Sequence, residues 1–180
     1  PSLKMSHTSP YGQRFFEAQV QAADNGHLKL VEQLQMVFAP RSVLDVGCGV
    51  GGWLASWQRA GVDDVRGVDG EWVPRELLQI APERFTPMDL SHPHFLARTF
   101  DLVLSLEVAE HIAPGAARGF VAFLVSCGPI VCFSAAPPHQ GGEDHVNEQP
   151  PQWPRCGQVM RVPPNDGPSM ISRGSPRAEA

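Results

Sequence analysis

The stretch Asp45-Val46-Gly47-Cys48-Gly49-Val50-Gly51-Gly52 packs four glycines into six residues, directly after the apolar run Ser42-Val43-Leu44-Asp45-Val46. Pro40 precedes that run and the glycines end it, so it reads as a short buried strand. Trp53 to Ala60 continues as a helix. Glycines at such a strand–turn–helix junction permit positive φ and close approach of the backbone to a ligand. Gly47, Gly49 and Gly52 satisfy G-x-G-x-x-G, and Asp45 with Gly47, Gly49 and Gly51 satisfies D-x-G-x-G-x-G. Both patterns call for an acid about 20 residues on, where it meets ribose hydroxyls. Asp69 stands 20 residues after Gly49 and ends the next apolar run, Asp64-Val65-Arg66-Gly67-Val68-Asp69.

The rest of the chain follows the same alternation. Helices are expected over Gln13–Ala23 and from Leu28 to about Phe38, then a short one from Pro74 through Ile80, another over His94–Arg98 and one over Ala116–Ser126. Arg84-Phe85-Thr86-Pro87-Met88 reads as a weak edge strand, because proline is tolerated there. Phe100–Ser105 and Ile130–Ser134 read as strands four and five. Strands alternating with helices predict an α/β, Rossmann-like, doubly wound and mainly parallel sheet. The organisation expected is a flexible arm over 1–12, one domain over 13–150, and a Pro/Arg-rich, disordered tail over 151–180.

Composition narrows the function. A net charge of −5 offers no positive field to hold a nucleic acid. The most apolar stretch, Phe120 to Ala136, is broken by Gly128-Pro129 and is too short to span a membrane. Cys48, Cys127, Cys132 and Cys156 form no C-x-x-C pair, and His92-x-His94 is too short a motif, so no metal is expected. Reduced thiols and no secretory pattern predict a cytoplasmic protein. The chain begins on Pro1, so that end reads as trimmed or fragmentary.

Beyond the glycine turn, Val68-Asp69-Gly70, Met88-Asp89-Leu90 and Phe100-Asp101-Leu102-Val103-Leu104-Ser105-Leu106-Glu107-Val108-Ala109-Glu110-His111 complete a pattern that resembles class I S-adenosylmethionine-dependent methyltransferases, over about Val43 to Gln149. Phe133-Ser134-Ala135-Ala136-Pro137, Gln140-Gly141-Gly142 and His145-Val146-Asn147-Glu148-Gln149 resemble a small bacterial subgroup of unassigned substrate. The resemblance implies S-adenosylmethionine as cofactor and methyl transfer to an oxygen or nitrogen of a small-molecule acceptor, with no nucleic-acid or membrane partner. It also implies seven strands, the last two an antiparallel hairpin beside strand five. Five are read here, and the Pro-rich end departs from the pattern, as if truncated or shifted in frame beyond about Trp153. Strand five would then be an exposed edge.

The resemblance assigns the cofactor to Asp45, Gly47, Cys48, Gly49, Gly51, Asp69, Gly70, Met88, Asp89, Leu90, Ser105 and Glu107. Glycines 47, 49 and 51 would lie against the methionine tail, Asp45 would attract its ammonium, Asp69 would accept from the ribose, and Asp89 with Leu90 would read the adenine edge. His111 is the candidate catalytic base, and His139 and His145 the candidate acceptor-side residues. Other readings remain open: Asp69 and Asp89 as caps, Trp53 and Trp72 as packing residues, His111 as a structural tie. Two other functions also remain open, an inactive or truncated remnant serving as an interaction module and an NAD-dependent oxidoreductase.

Overall fold

The computed structural model describes residues 12–22, 26–142, 144–149 and 158–161. The arm over 1–12, except Gly12, and the tail over 151–180, except Gln158–Arg161, lie outside them. Two helices, α1 (Gln13–Ala22) and α2 (Gly26–Phe38), lead into β1 (Ser42–Val46), α3 (Gly52–Arg59), β2 (Asp64–Asp69), β3 (Phe85–Pro87), β4 (Leu102–Leu106), α4 (Ala117–Cys127), β5 (Ile130–Ser134) and β6 (Gln158–Arg161). Single 3-10 turns occupy Arg75–Leu77, Pro82–Arg84 and Ala109–His111.

The sheet order is β3-β2-β1-β4-β5-β6. The first five strands are parallel, and β6 runs antiparallel to β5 with Phe133 opposite Gln158 and Ile130 opposite Arg161. Strand order reverses between β1 and β4, and open α/β sheets bind ligands at the carboxyl edge of such a switch. Strand alternation sends Val43, Val65, Leu102 and Leu104 to one face, where Phe16, Val31, Leu34, Leu54 and Trp57 of α1, α2 and α3 cover them. Leu44, Val46, Val68, Val103 and Val131 point to the other face, under Phe120, Phe123 and Leu124 of α4. Helices on both faces of a mainly parallel sheet are the architecture expected from the sequence. Among the described residues, no helix is long and apolar enough to cross a membrane.

Four expectations are corrected. His94–Arg98 forms no helix. Only Leu96 there packs against the core, Phe95 is 79% exposed, and Arg98 is drawn to Asp64 at 2.6 Å, so no apolar helical face exists to bury. The helix expected from Pro74 through Ile80 shrinks to one turn, because the Gln79 amide donates to the Val50 carbonyl of the glycine turn at 2.8 Å. The fourth strand starts at Leu102 rather than Phe100, since Asp101 serves as a latch. Its carboxylate accepts from the Arg41 and Ser42 amides at 2.8 and 3.1 Å, and its own amide donates to the Ser42 hydroxyl at 2.9 Å. Finally, β5 is not an edge, because Gln158–Arg161 pairs beside it. Val159-Met160-Arg161-Val162 is the tail segment whose sequence can pair as a short strand, and Gln158–Arg161 does so.

Gly128, between α4 and β5, marks a tight spot. A Cβ there would stand 2.3 Å from the Phe100 carbonyl oxygen, a backbone atom that cannot step aside. Its φ of 178° is open to any residue, so the constraint is steric alone. Gly128→Ala should lower stability by about 1–3 kcal/mol, in the range of overpacked cores. Chemical denaturation checks this, and an unchanged midpoint would refute the contact.

Candidate active site

The carboxyl ends of β1, β2 and β4 open on one cavity of about 420 Å³, a volume in the range of small-molecule sites. Gly47, Gly49, Asp69, Asp89, Leu90, Glu107 and His111, all expected from the sequence, line it. Asp45, Gly47 and Cys48 line a second cavity of about 150 Å³, and Gln19 and Gly47 border both. Gly47 and Gly49 adopt left-handed φ of 83° and 51°, which side chains rarely accept. A Cβ on Gly47 would meet Val108, and one on Gly49 would meet the Gln19 amide group. The glycine turn therefore lets the Val108 and Gln19 side chains pack directly on its backbone, at the rim of the cavity it lines.

Asp69 fastens that turn. One carboxylate oxygen accepts from the Gly49 amide at 2.7 Å, the other from the Gly70 amide at 2.6 Å. Burial pushes its pKa up, against the pull of those two amides. Asp45, on β1, is buried, and its Oδ2 has no hydrogen-bond partner among the described residues. Burial first, and then the neighbouring Asp69, push Asp45 up to about 8. A buried carboxyl with an open acceptor beside the glycine turn suits a cation, which would restore its charge.

Glu107 follows β4 in a left-handed turn, φ 56°. Its amide donates to the carbonyl and the hydroxyl of Ser134, both at 3.1 Å. His111 stands on the same wall, its pKa lowered chiefly by burial. The Asp89 carboxylate accepts from the Ser91 amide at 2.9 Å and pairs with His92 at 3.0 Å, so it also caps its own turn.

Other assignments fall elsewhere. Met88 and Ser105 are buried and line neither cavity. Gly51 precedes α3 at its N-cap and packs against Ile80. Gly70 seats the Trp72 indole, which would collide with a Cβ there, and Trp72 in turn lines the larger cavity. Trp53 stacks on His27 with ring centroids 3.8 Å apart, a packing role. His139 is exposed, and its amide donates to Glu148 at 2.8 Å. His145 lines neither cavity and stands edge-on to His111 at 5.1 Å between centroids. Sequence reasoning missed the opposite wall of Phe15, Phe16 and Gln19 on α1, and also Ser91, Val108, Ile112, Asp144 and Val146. Val108 and Val146 stand inside quoted blocks without a role assigned to them, and the α1 residues meet the glycine turn only in three dimensions.

The raised Asp45 carries a sign. The folded chain keeps that proton up to about pH 8, whereas an unfolded chain loses it near 3.8. Between those values the unfolded state binds fewer protons, so this group's contribution to stability falls as pH rises. Asp45→Asn should flatten that decline, unfolding at higher temperature than the parent at about pH 8. Calorimetric melting across the interval checks this, and parallel pH curves for the two proteins would refute it.

No curated protein matches the chain. Among solved structures, an O-methyltransferase family protein from Burkholderia thailandensis has a TM-score of 0.60 at 17% identity, covering 77% of this chain and 50% of that one. The sugar N-methyltransferase KedS8 from a Streptoalloteichus species scores 0.58 at 20% identity, covering 79% and 63%. CalS10, an amino pentose methyltransferase from Micromonospora echinaspora, scores 0.56 at 20% identity, covering 79% and 67%. The chain thus spans from half to about two thirds of these proteins, and shares their fold. A family model described as a methyltransferase domain matches residues 15–118, more than half of the chain, and the chain accordingly belongs to the methyltransferase domain family.

Proposed function

We propose that the chain transfers a methyl group from S-adenosylmethionine to an oxygen or nitrogen of a small-molecule acceptor, in the cytoplasm and without nucleic-acid or membrane partners. The observation that carries this reading is the convergence of Gly47, Gly49, Asp69, Glu107 and His111, from three strand ends, on one cavity. The residues present fit the cofactor. The left-handed turn at Gly47 and Gly49 lines the cavity with backbone, and Asp45 Oδ2, without a partner among the described residues, offers an acceptor for its ammonium. Asp69 would accept from the ribose, Asp89 and Leu90 would meet the adenine edge, and Trp72 would cover its face.

When bound, the sulfonium supplies an electrophilic methyl and a neutral thioether leaving group. What this chain must add is position, and orientation alone contributes roughly 7–11 kcal/mol in well-aligned reactions. The walls from α1 and from residues 107–112 would hold the acceptor and exclude water. His111, with its pKa lowered, stays neutral near pH 7 and would take a proton from the acceptor. KedS8 and CalS10 are described as methylating sugars, and their shared fold supports a small polar acceptor.

Isothermal titration with S-adenosylmethionine and, separately, with NAD tests the reading. The methyl donor should bind and NAD should not; the reverse outcome would establish an oxidoreductase. Asp69→Ala should weaken donor binding by about 2–4 kcal/mol, since a charged acceptor is lost and the Gly49 amide is released. An unchanged dissociation constant would overturn the assignment. Binding without turnover on amino sugars or other small acceptors would favour the remnant reading instead.

A further inference from the structure

We propose that Glu110, His111 and His145 bind a divalent transition-metal cation at the acceptor end of the cavity. One ligand atom from each lies within 4.8 Å of the other two. Ligands about 2.1 Å from a common ion lie roughly 3–4 Å apart, so small side-chain rotations complete the set. Glu110 and His111 belong to the turn after β4, and His145 to the loop after β5. The Val146 and Asn147 amides donate to the Glu110 carbonyl at 2.9 and 3.0 Å, which ties the two loops together.

Three observations point to a ligand. Glu110 is 1% exposed, and among the described residues neither carboxylate oxygen has a hydrogen bond of good geometry, its only support being the pull of the Glu110 and Ala136 backbone amides. An unpaired buried carboxylate is costly, and a bound cation resolves it. Secondly, both imidazoles are oriented for ligation. His145 Nδ1 lies 2.9 Å from Glu148 Oε1, and His111 Nδ1 lies 3.3 Å from the Asp144 carbonyl oxygen. At His145 the Glu148 carboxylate places the proton on Nδ1 and leaves Nε2 as the ligating nitrogen, the usual carboxylate–histidine–metal arrangement. Glu148 is itself held by the His139 and Gly141 amides at 2.8 and 2.9 Å. Thirdly, a Cβ on Gly142 would stand 2.3 Å from His145 Nε2, so the imidazole keeps this position beside the cluster only over a glycine.

Two imidazoles and one carboxylate suit zinc, cobalt, manganese or ferrous ions rather than the all-oxygen preference of calcium and magnesium. Three protein ligands leave a position open, as catalytic sites do. His111 also lines the large cavity, so that position faces the acceptor. A coordinated acceptor hydroxyl would be fixed in place and made more acidic. This last role rests on the methyl-transfer reading; the cation site itself does not. As a ligand, His111 would act through the cation and not as a free base. The spacing rules that predicted no metal examine near neighbours in sequence, whereas residues 110 and 145 meet only across the strand ends.

Chelator-treated full-length protein should be titrated with Co²⁺ and followed by its visible d–d absorption, with Zn²⁺ as competitor. One cation per chain should bind, displaced by Zn²⁺. His145→Ala should weaken binding at least about a hundredfold, and Glu148→Gln about 10–100-fold. Gly142→Ala, which removes no ligand and lies on the surface, should weaken binding at least about tenfold while S-adenosylmethionine affinity stays as in the parent. Circular dichroism confirms that each variant is folded. Absence of one-to-one binding, or equal affinity in the folded His145→Ala and Gly142→Ala variants, would overturn the site. Cobalt binding with no S-adenosylmethionine binding would keep the cation site and refute the methyltransferase reading; the converse pattern would do the opposite.

Discussion

A single carboxylate joins the two halves of the candidate site. Asp69 receives the Gly49 amide on one oxygen and the Gly70 amide on the other, so the glycine turn after β1 is tied to the end of β2. The Gly47 amide adds a bond to the Val68 carbonyl at 2.8 Å. The turn can lie this close only because β2 is also bare. A Cβ on Gly67 would stand 2.5 Å from the Cys48 sulfur. The position of α3, and with it one layer of the core, follows from how this turn is seated. The expected ribose acceptor therefore has a second task, holding the surface on which a ligand would lie.

Burial of charge is the second theme. Asp45, Asp69 and Glu110 all sit where water is scarce, and all have raised pKa values chiefly through burial. They differ in what compensates them. Asp69 has two amides, whereas among the described residues one oxygen of Asp45 has no partner and Glu110 has only the weaker pull of the Glu110 and Ala136 amides. Unsatisfied buried carboxyls are rare in stable folds. Here they stand at opposite ends of the glycine turn and the β4 exit, one suited to an organic ammonium and the other to a metal ion.

The sheet was legible because its signals are local. β1, β2 and β5 have the expected boundaries, set by glycine, proline and short apolar runs. Asp69 could be placed by its spacing from the glycine turn at the end of a strand, and Asp89 and Glu107 by the blocks that carry the family resemblance. Elements without a strong local period were harder. His94–Arg98 reads as a helix from propensity, yet an ion pair and one apolar anchor decide its course. Val159-Met160-Arg161-Val162 reads as a segment able to pair as a short strand, but that it closes the sheet beside β5 depends on partners 25 to 31 residues away. The α1 wall and the Glu110–His111–His145 cluster are products of topology, and no spacing rule reaches them.

Glu107 shows what such a site demands of its backbone. A non-glycine residue at φ 56° is strained by about 1–3 kcal/mol, and its neighbours must hold it there. The carbonyl and hydroxyl of Ser134 do so from the end of β5. Glycine would occupy the same conformation with no steric penalty, but it would remove the carboxylate from the cavity wall. Fold stability and site chemistry thus oppose each other at one position. The strain is stored where β4 leaves the sheet, and Ser134 is the residue on which its retention depends.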